Sequence, residues 1–155
     1  MSSKKSHNSD SGKALVLKKL VESLTLEINA IAQYHSFAIN CKPVDFRSAK
    51  VAELFQHLAA DETGDLKIFI EWINNLGGTV DESLPVKMEL VTDPVKMLKM
   101  AIEMEKGAVR KYREVLKALK TIEEEEFYSE GLFHAIIHII TDEQEHIRKC
   151  ELLLD

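Results

Sequence analysis

The chain has 155 residues, 45% of them hydrophobic, and a formal net charge of -6, so it is long enough to bury one continuous core and lacks the cationic excess that tracks a nucleic-acid backbone. No stretch approaches the roughly 18 apolar residues of a membrane span, and the N-terminal MSSKKSHNSDSGK has no apolar signal-peptide core, so neither membrane nor nucleic acid is an expected partner and the expected location is cytoplasmic. Only three prolines interrupt long stretches of helical periodicity, which predicts an all-α chain.

Residues 1–12 are rich in Ser, Lys, Asn and Asp without apolar periodicity, and are expected as a flexible tail ahead of one domain over 13–155. From Ala14 to Asn40 the residues Leu20, Leu24, Glu27, Ile31, Tyr34 and Ala38 recur at helical spacing, and Lys42-Pro43 ends this first helix. Asp45 is the predicted N-cap of a second helix, whose stripe of Phe55, Leu58, Glu62, Leu66, Phe69, Ile73 and Leu76 stops at Gly77-Gly78. The segment from Gly77 to Thr92 is the one long connection, enough to cross the length of a bundle. Asp93-Pro94 then opens a third helix toward Lys120, with Leu98, Ile102, Glu105, Val109, Tyr112 and Leu116 inward. Thr121 and Glu124 form a predicted capping box for a fourth, which runs through Leu132, Ile136, Ile139, Glu143, Ile147 and Cys150. The expected architecture is an antiparallel four-helix bundle made of two hairpins joined by a long crossover.

Each helix carries an acid in the middle of its apolar stripe. A carboxylate among Leu and Ile side chains is costly unless compensated, and five converging carboxylates repel one another. Two divalent cations set against Glu27, Glu62, Asp65, Glu105 and Glu143 with a neutral His146 leave a net charge of about -1 by formal counting. A single acid on each of two helices and an i, i+3 pair on each of the others (Glu62 with Asp65, Glu143 with His146) is the arrangement of a two-metal carboxylate centre. Oxygen-rich ligation with one imidazole suits iron first and manganese second. Tyr34 and Tyr112 each follow a single acid by two helical turns, which directs their hydroxyls inward toward an acid or backbone group of another helix.

The remaining candidates have plainer readings. His57 and Asp61 lie one turn apart, off the predicted ligand face, and His134 with His138 reads as a solvent-facing or subunit-facing pair. His35 carries no assignment, and Cys41 and Cys150 are expected as free thiols.

Glu27 with Tyr34, the Asp61-Glu62 pair, Glu105 ahead of Ala108-Val109-Arg110-Lys111-Tyr112, and Asp142-Glu143-Gln144-Glu145-His146 together resemble bacterioferritins and their ferritin-like relatives, including rubrerythrins. The resemblance implies a ferroxidase centre in which Fe2+ is oxidised by dioxygen or hydrogen peroxide for iron storage or detoxification. It makes Glu27, Glu62, Glu105, Glu143 and His146 ligands, gives Tyr34 a supporting role, and places His57 and Asp61 at an accessory iron site. The chain departs from the family pattern at Asp65, where that pattern has histidine. Thr63 stands where bacterioferritins have the haem-binding methionine, so no haem is expected. Only nine residues follow His146, too few for the C-terminal fifth helix of the ferritin shell, and the expected assembly is a homo-oligomer, a dimer or larger. Two other readings compete: a di-iron oxidase or hydroxylase of an organic substrate, which needs an apolar channel to the metals, and a metal-stabilised helical interaction protein without turnover.

Overall fold

The computed structural model describes residues 3–80, 84–122 and 127–155. These form four α-helices, α1 (Ser3–Asn40), α2 (Phe46–Asn75), α3 (Pro94–Leu119) and α4 (Phe127–Leu154), and no strand among the described residues. The all-α four-helix bundle expected from the periodicity is the observed architecture, with α1 packed chiefly on α2 and α3 chiefly on α4. No described helix is long and apolar enough to cross a membrane.

One boundary differs from the sequence reading. The described backbone is helical from Ser3, ahead of the start expected near Ala14. Once nucleated, a helix gains one hydrogen bond for each residue added, and none of the residues ahead of Ala14 is proline. Gly12 already packs on the bundle, since a Cβ there would lie 3.3 Å from Ile122 Cγ1. At the other junction the Thr121 hydroxyl donates to Ala118 O at 2.7 Å and so satisfies a carbonyl left free at the end of α3. Its predicted capping partner Glu124 lies outside the described residues.

The turns follow their local chemistry. Asp45 Oδ1 accepts from Ser48 N at 2.7 Å while Asp45 N donates to Ser48 Oγ at 3.0 Å, a reciprocal box that starts α2. Gly77 takes φ 76° just beyond α2, the left-handed conformation that glycine enters without steric cost. The crossover then runs along α1, held by side-chain amides. Gln33 Nε2 donates to Glu89 O and Gln33 Oε1 accepts from Glu89 N, both at 2.8 Å, and Asn29 Oδ1 accepts from Lys87 N at 2.7 Å. Asp93 caps α3 by accepting from Val95 N at 3.1 Å, with Pro94 in the first helical position.

The apolar core falls into two clusters. One gathers Leu20, Leu24, Phe69, Ile73, Val115, Leu132 and Ile136; the other gathers Phe37, Phe55, Leu58, Met97, Leu98 and Cys150. On every helix the central acid sits where the chain passes from one cluster to the other: Glu27 between Leu24 and Ala30, Glu62 between Ala59 and Phe69, Glu105 between Ile102 and Ala108, Glu143 between Ile140 and Cys150. A polar layer thus divides an otherwise apolar interior. Cys41 and Cys150 are free and buried, as expected.

Candidate metal centre

Glu27, Glu62, Glu105, Glu143 and His146 are each no more than 2% exposed. One donor atom from each of Glu62, Glu105, Glu143 and His146 lies within 4.8 Å of the others. His146 Nδ1 faces Glu143 Oε2 at 3.0 Å, Glu62 Oε1 at 3.2 Å and Glu105 Oε1 at 3.6 Å. One N–H can satisfy only one of these, and Glu62 Oε1, Glu62 Oε2, Glu143 Oε1 and Glu27 Oε2 have no hydrogen-bond partner.

Electrostatics follow from this crowding. Burial, then the charges of Glu62 and Glu143, push the Glu27 carboxyl well above the usual carboxylate range. Burial and the Glu105 charge do the same to Glu143. Burial raises Glu105 as well, against the opposing pull of the His146 hydrogen bond. For His146, burial disfavours the imidazolium, but the carboxylates of Glu105, Glu143 and Glu62 crowded against its ring outweigh it and raise the group above its ordinary value. The metal-free cluster therefore holds protons that a cation must displace.

Two tyrosines brace the layer across the hairpins. The Tyr34 hydroxyl of α1 donates to Glu105 of α3, and the Tyr112 hydroxyl of α3 donates to Glu27 of α1. Both phenols are pushed well above their ordinary range, first by burial and then by the carboxylate each one faces, so they remain neutral donors. Tyr112 supplies the one hydrogen bond that Glu27 receives. Tyr112→Phe should therefore destabilise the metal-free protein by about 1–3 kcal/mol. Tyr34→Phe should cost less, because Glu105 keeps His146 nearby. Urea denaturation of the two variants in chelator checks the order; equal midpoints would contradict it.

Asp65 is buried but, like Glu27, is not among the four donors that lie within 4.8 Å of one another. Burial, with the charges of Glu62 and Asp142, raises its carboxyl to about 7. His57 and Asp61 do not form a pair. Both are exposed, and Asp61 turns to α4, where its Oδ2 lies 3.4 Å from His146 Nε2. Asp61 is thus outside the group of four donors, beside the outer edge of the His146 ring. His35 is exposed, as are His134 and His138, which lie near Glu130 at 3.9 Å and Asp142 at 2.9 Å.

Two openings reach the layer. Between α1 and α3 a cavity of about 180 Å³ has Leu26, Ala30, Met104 and Ala108 in its wall and ends on Glu27, Glu62, Glu105 and Glu143. Between α2 and α4 a cleft of about 240 Å³ is lined by Asp61, Asp65, Asp142, Glu145, His146 and Lys149. Sequence reasoning passed over Asp142, whose available signal was its position next to Glu143, matching that of Asp61 next to Glu62.

A four-helix bundle divided by a buried layer of four glutamates and a histidine, with carboxylate oxygens left unpaired, is a scaffold suited to holding metal. The ferritin-like domain family matches residues 17–155, and the chain belongs to that family. The fold is similar to the crystal structure of ferritin-like, diiron-carboxylate proteins from Bacillus anthracis str. Ames, with a TM-score of 0.81 at 22% identity over 93% of this chain and 98% of that one. Comparison with curated proteins finds no match.

Proposed function

We propose that this protein is a di-iron ferroxidase of the bacterioferritin and rubrerythrin kind, which oxidises Fe2+ with dioxygen or hydrogen peroxide in cytoplasmic iron storage or detoxification and works as a homo-oligomer. The observation that carries this reading is the set of four buried carboxylate oxygens without partners, on Glu27, Glu62 and Glu143. An unsatisfied buried polar group costs about 1–3 kcal/mol, and more when charged, so a bare layer of this kind is unfavourable unless cations fill it. Oxygen donors with one imidazole fit iron, and manganese next.

Glu27, Glu62, Glu105, Glu143 and His146 would hold the ions. Two bound ferrous ions supply two electrons, enough to take dioxygen to hydrogen peroxide or hydrogen peroxide to water. The protein sets the protonation that this needs. His146 turns Nδ1 to the three glutamates and Nε2 to Asp61, 3.4 Å away, so loss of the Nδ1 proton would free a lone pair for an ion. Tyr34 and Tyr112 keep Glu105 and Glu27 turned inward. The cavity between α1 and α3 gives the oxidant a route that avoids the acidic side.

The same apolar wall is what an oxidase or hydroxylase of an organic substrate would require. At about 180 Å³ the cavity is smaller than the roughly 300–1,000 Å³ of small-molecule pockets, and its size favours a diatomic or peroxide oxidant. The deciding experiment is an anaerobic Fe2+ titration followed by rapid mixing with dioxygen or peroxide. Two irons per chain and ferric absorbance appearing faster than with free iron are expected. Binding without accelerated oxidation would move the protein to the metal-stabilised interaction class, and absence of binding would remove the metal centre altogether.

A further inference from the structure

We propose that Met104 is an oxidant trap: hydrogen peroxide leaving the centre between α1 and α3 transfers an oxygen atom to its sulfur before reaching solution. The trap rests on the ferroxidase reading above, since it requires peroxide at the glutamates.

Met104 belongs to two spaces at once. It stands in the wall of the cavity that ends on Glu27, Glu62, Glu105 and Glu143. It also lines an open groove of about 520 Å³ on the outer face of α3, with Lys96, Lys99, Met100 and Glu103. Met104 is the residue the two share, so its side chain stands between the acid layer and that groove. It directly precedes Glu105 on α3 and is half-buried against the apolar cluster that contains Phe55 and Leu98. Such a position shields the thioether from bulk solvent and opens it to whatever moves along the cavity.

The chemistry singles out sulfur. In the cavity lining, Leu26, Ala30 and Ala108 offer peroxide only C–H bonds, the carboxylates and the Asn29 amide carry no readily oxidised atom, and the Tyr112 hydroxyl is committed to Glu27. A thioether takes an oxygen atom directly. The sulfur lone pair attacks one peroxide oxygen, the O–O bond breaks as the S–O bond forms, and the second oxygen leaves with both protons as water. Sulfur is oxidised by two electrons and peroxide is reduced by two, so no further reactant enters. Farther out, Lys96 donates to Glu89 Oε1 at 3.0 Å and Lys106 to Glu103 Oε1 at 3.3 Å, while Met100 lies one turn back along the same groove. Met100 is thus the next sulfur on the way to solvent.

The other methionines supply the contrast. Met88, on the crossover, is 61% exposed, whereas Met97 is fully buried. Peroxide arriving from solution therefore meets Met88 first, and peroxide arriving from the centre meets Met104 first.

The test loads full-length protein anaerobically with Fe2+, mixes it with a limiting pulse of dioxygen in the presence of catalase, and locates sulfoxide by peptide mass spectrometry while ferric absorbance is recorded. Met104 is expected to carry roughly ten times the sulfoxide of Met88, because peroxide released inside the cavity acts at high local concentration while catalase clears the solution. Metal-free protein given hydrogen peroxide without catalase should show the reverse order, with Met97 unmodified in both arms. Glu62→Gln, which damages the centre, should lose the Met104 preference. Accelerated ferric absorbance with Met104 no more oxidised than Met88 would overturn the trap and leave the ferroxidase standing. Met104 ahead of Met88 in the metal-free arm, or a preference kept by Glu62→Gln, would also overturn it, by making the reactivity independent of the centre. Ferric absorbance no faster than with free iron would overturn both.

Discussion

Replacing Glu62 with methionine should raise the melting temperature of the metal-free protein and abolish its stabilisation by metal. Glu62 is buried, both its oxygens lack partners, and it faces the carboxylates of its neighbours in the same layer. Methionine is close to it in volume and adapts to irregular space. Exchanging a buried charged group for a packed apolar one is neutral or stabilising by about 1–4 kcal/mol. In a domain of this size each kcal/mol moves the midpoint by about 2–4 °C. The metal-bound state responds in the opposite sense. An ion present at a thousand times its Kd stabilises the native state by about 4 kcal/mol, and the variant loses that gain with the ligand. Calorimetric scans of both proteins in chelator and in excess Mn2+ provide the comparison. A lower metal-free midpoint together with an intact metal shift would mean that Glu62 is a structural acid.

The second large effect is on pH dependence. Raised carboxyls at Glu27, Glu105, Glu143 and Asp65 bind protons more tightly in the folded than in the unfolded chain. Stability from such groups is present at low pH and falls as pH rises from the unfolded carboxylate value through the folded one, which for Asp65 is a window from 3.8 to about 7. His146 acts in the same direction: its contribution is complete below 6.5 and is lost as pH rises above that. The lowered acids at Asp45, Glu53, Glu114 and Glu145 lose their contribution only as pH falls through their own depressed values, below the usual carboxylate range. The metal-free melting temperature should therefore decline steadily from pH 5 to pH 8. Metal binding at pH 6 should release protons, measurable by titration calorimetry in buffers of different ionisation enthalpy. A rising metal-free midpoint across this range, or binding heats independent of buffer, would contradict the protonated cluster.

Much of the fold was legible along the chain because its determinants are periodic and local. Leu20, Leu24 and Tyr34 repeat at the helical interval, Asp45 and Asp93 are caps read from their own neighbours, and Gly77 marks a turn only glycine enters freely. The acids Glu27, Glu62, Glu105 and Glu143 could be singled out because each interrupts an apolar stripe, and a buried charge is too costly to be incidental. The helical start at Ser3 was less legible, since extending an existing helix takes little sequence signal.

What the sequence by itself determined was one acid per helix at a common depth, with His146 beside the last of them, because helical phase and burial cost are properties of each segment alone. Only the tertiary packing decided which atoms meet. It set Tyr34 on Glu105 and Tyr112 on Glu27, turned Asp61 from a surface partner of His57 into a neighbour of His146, and left Asp65 facing the cleft with Asp142. Those pairings depend on how far α2 and α4 stand apart and on the reach of each side chain across the gap, distances that no single helix encodes.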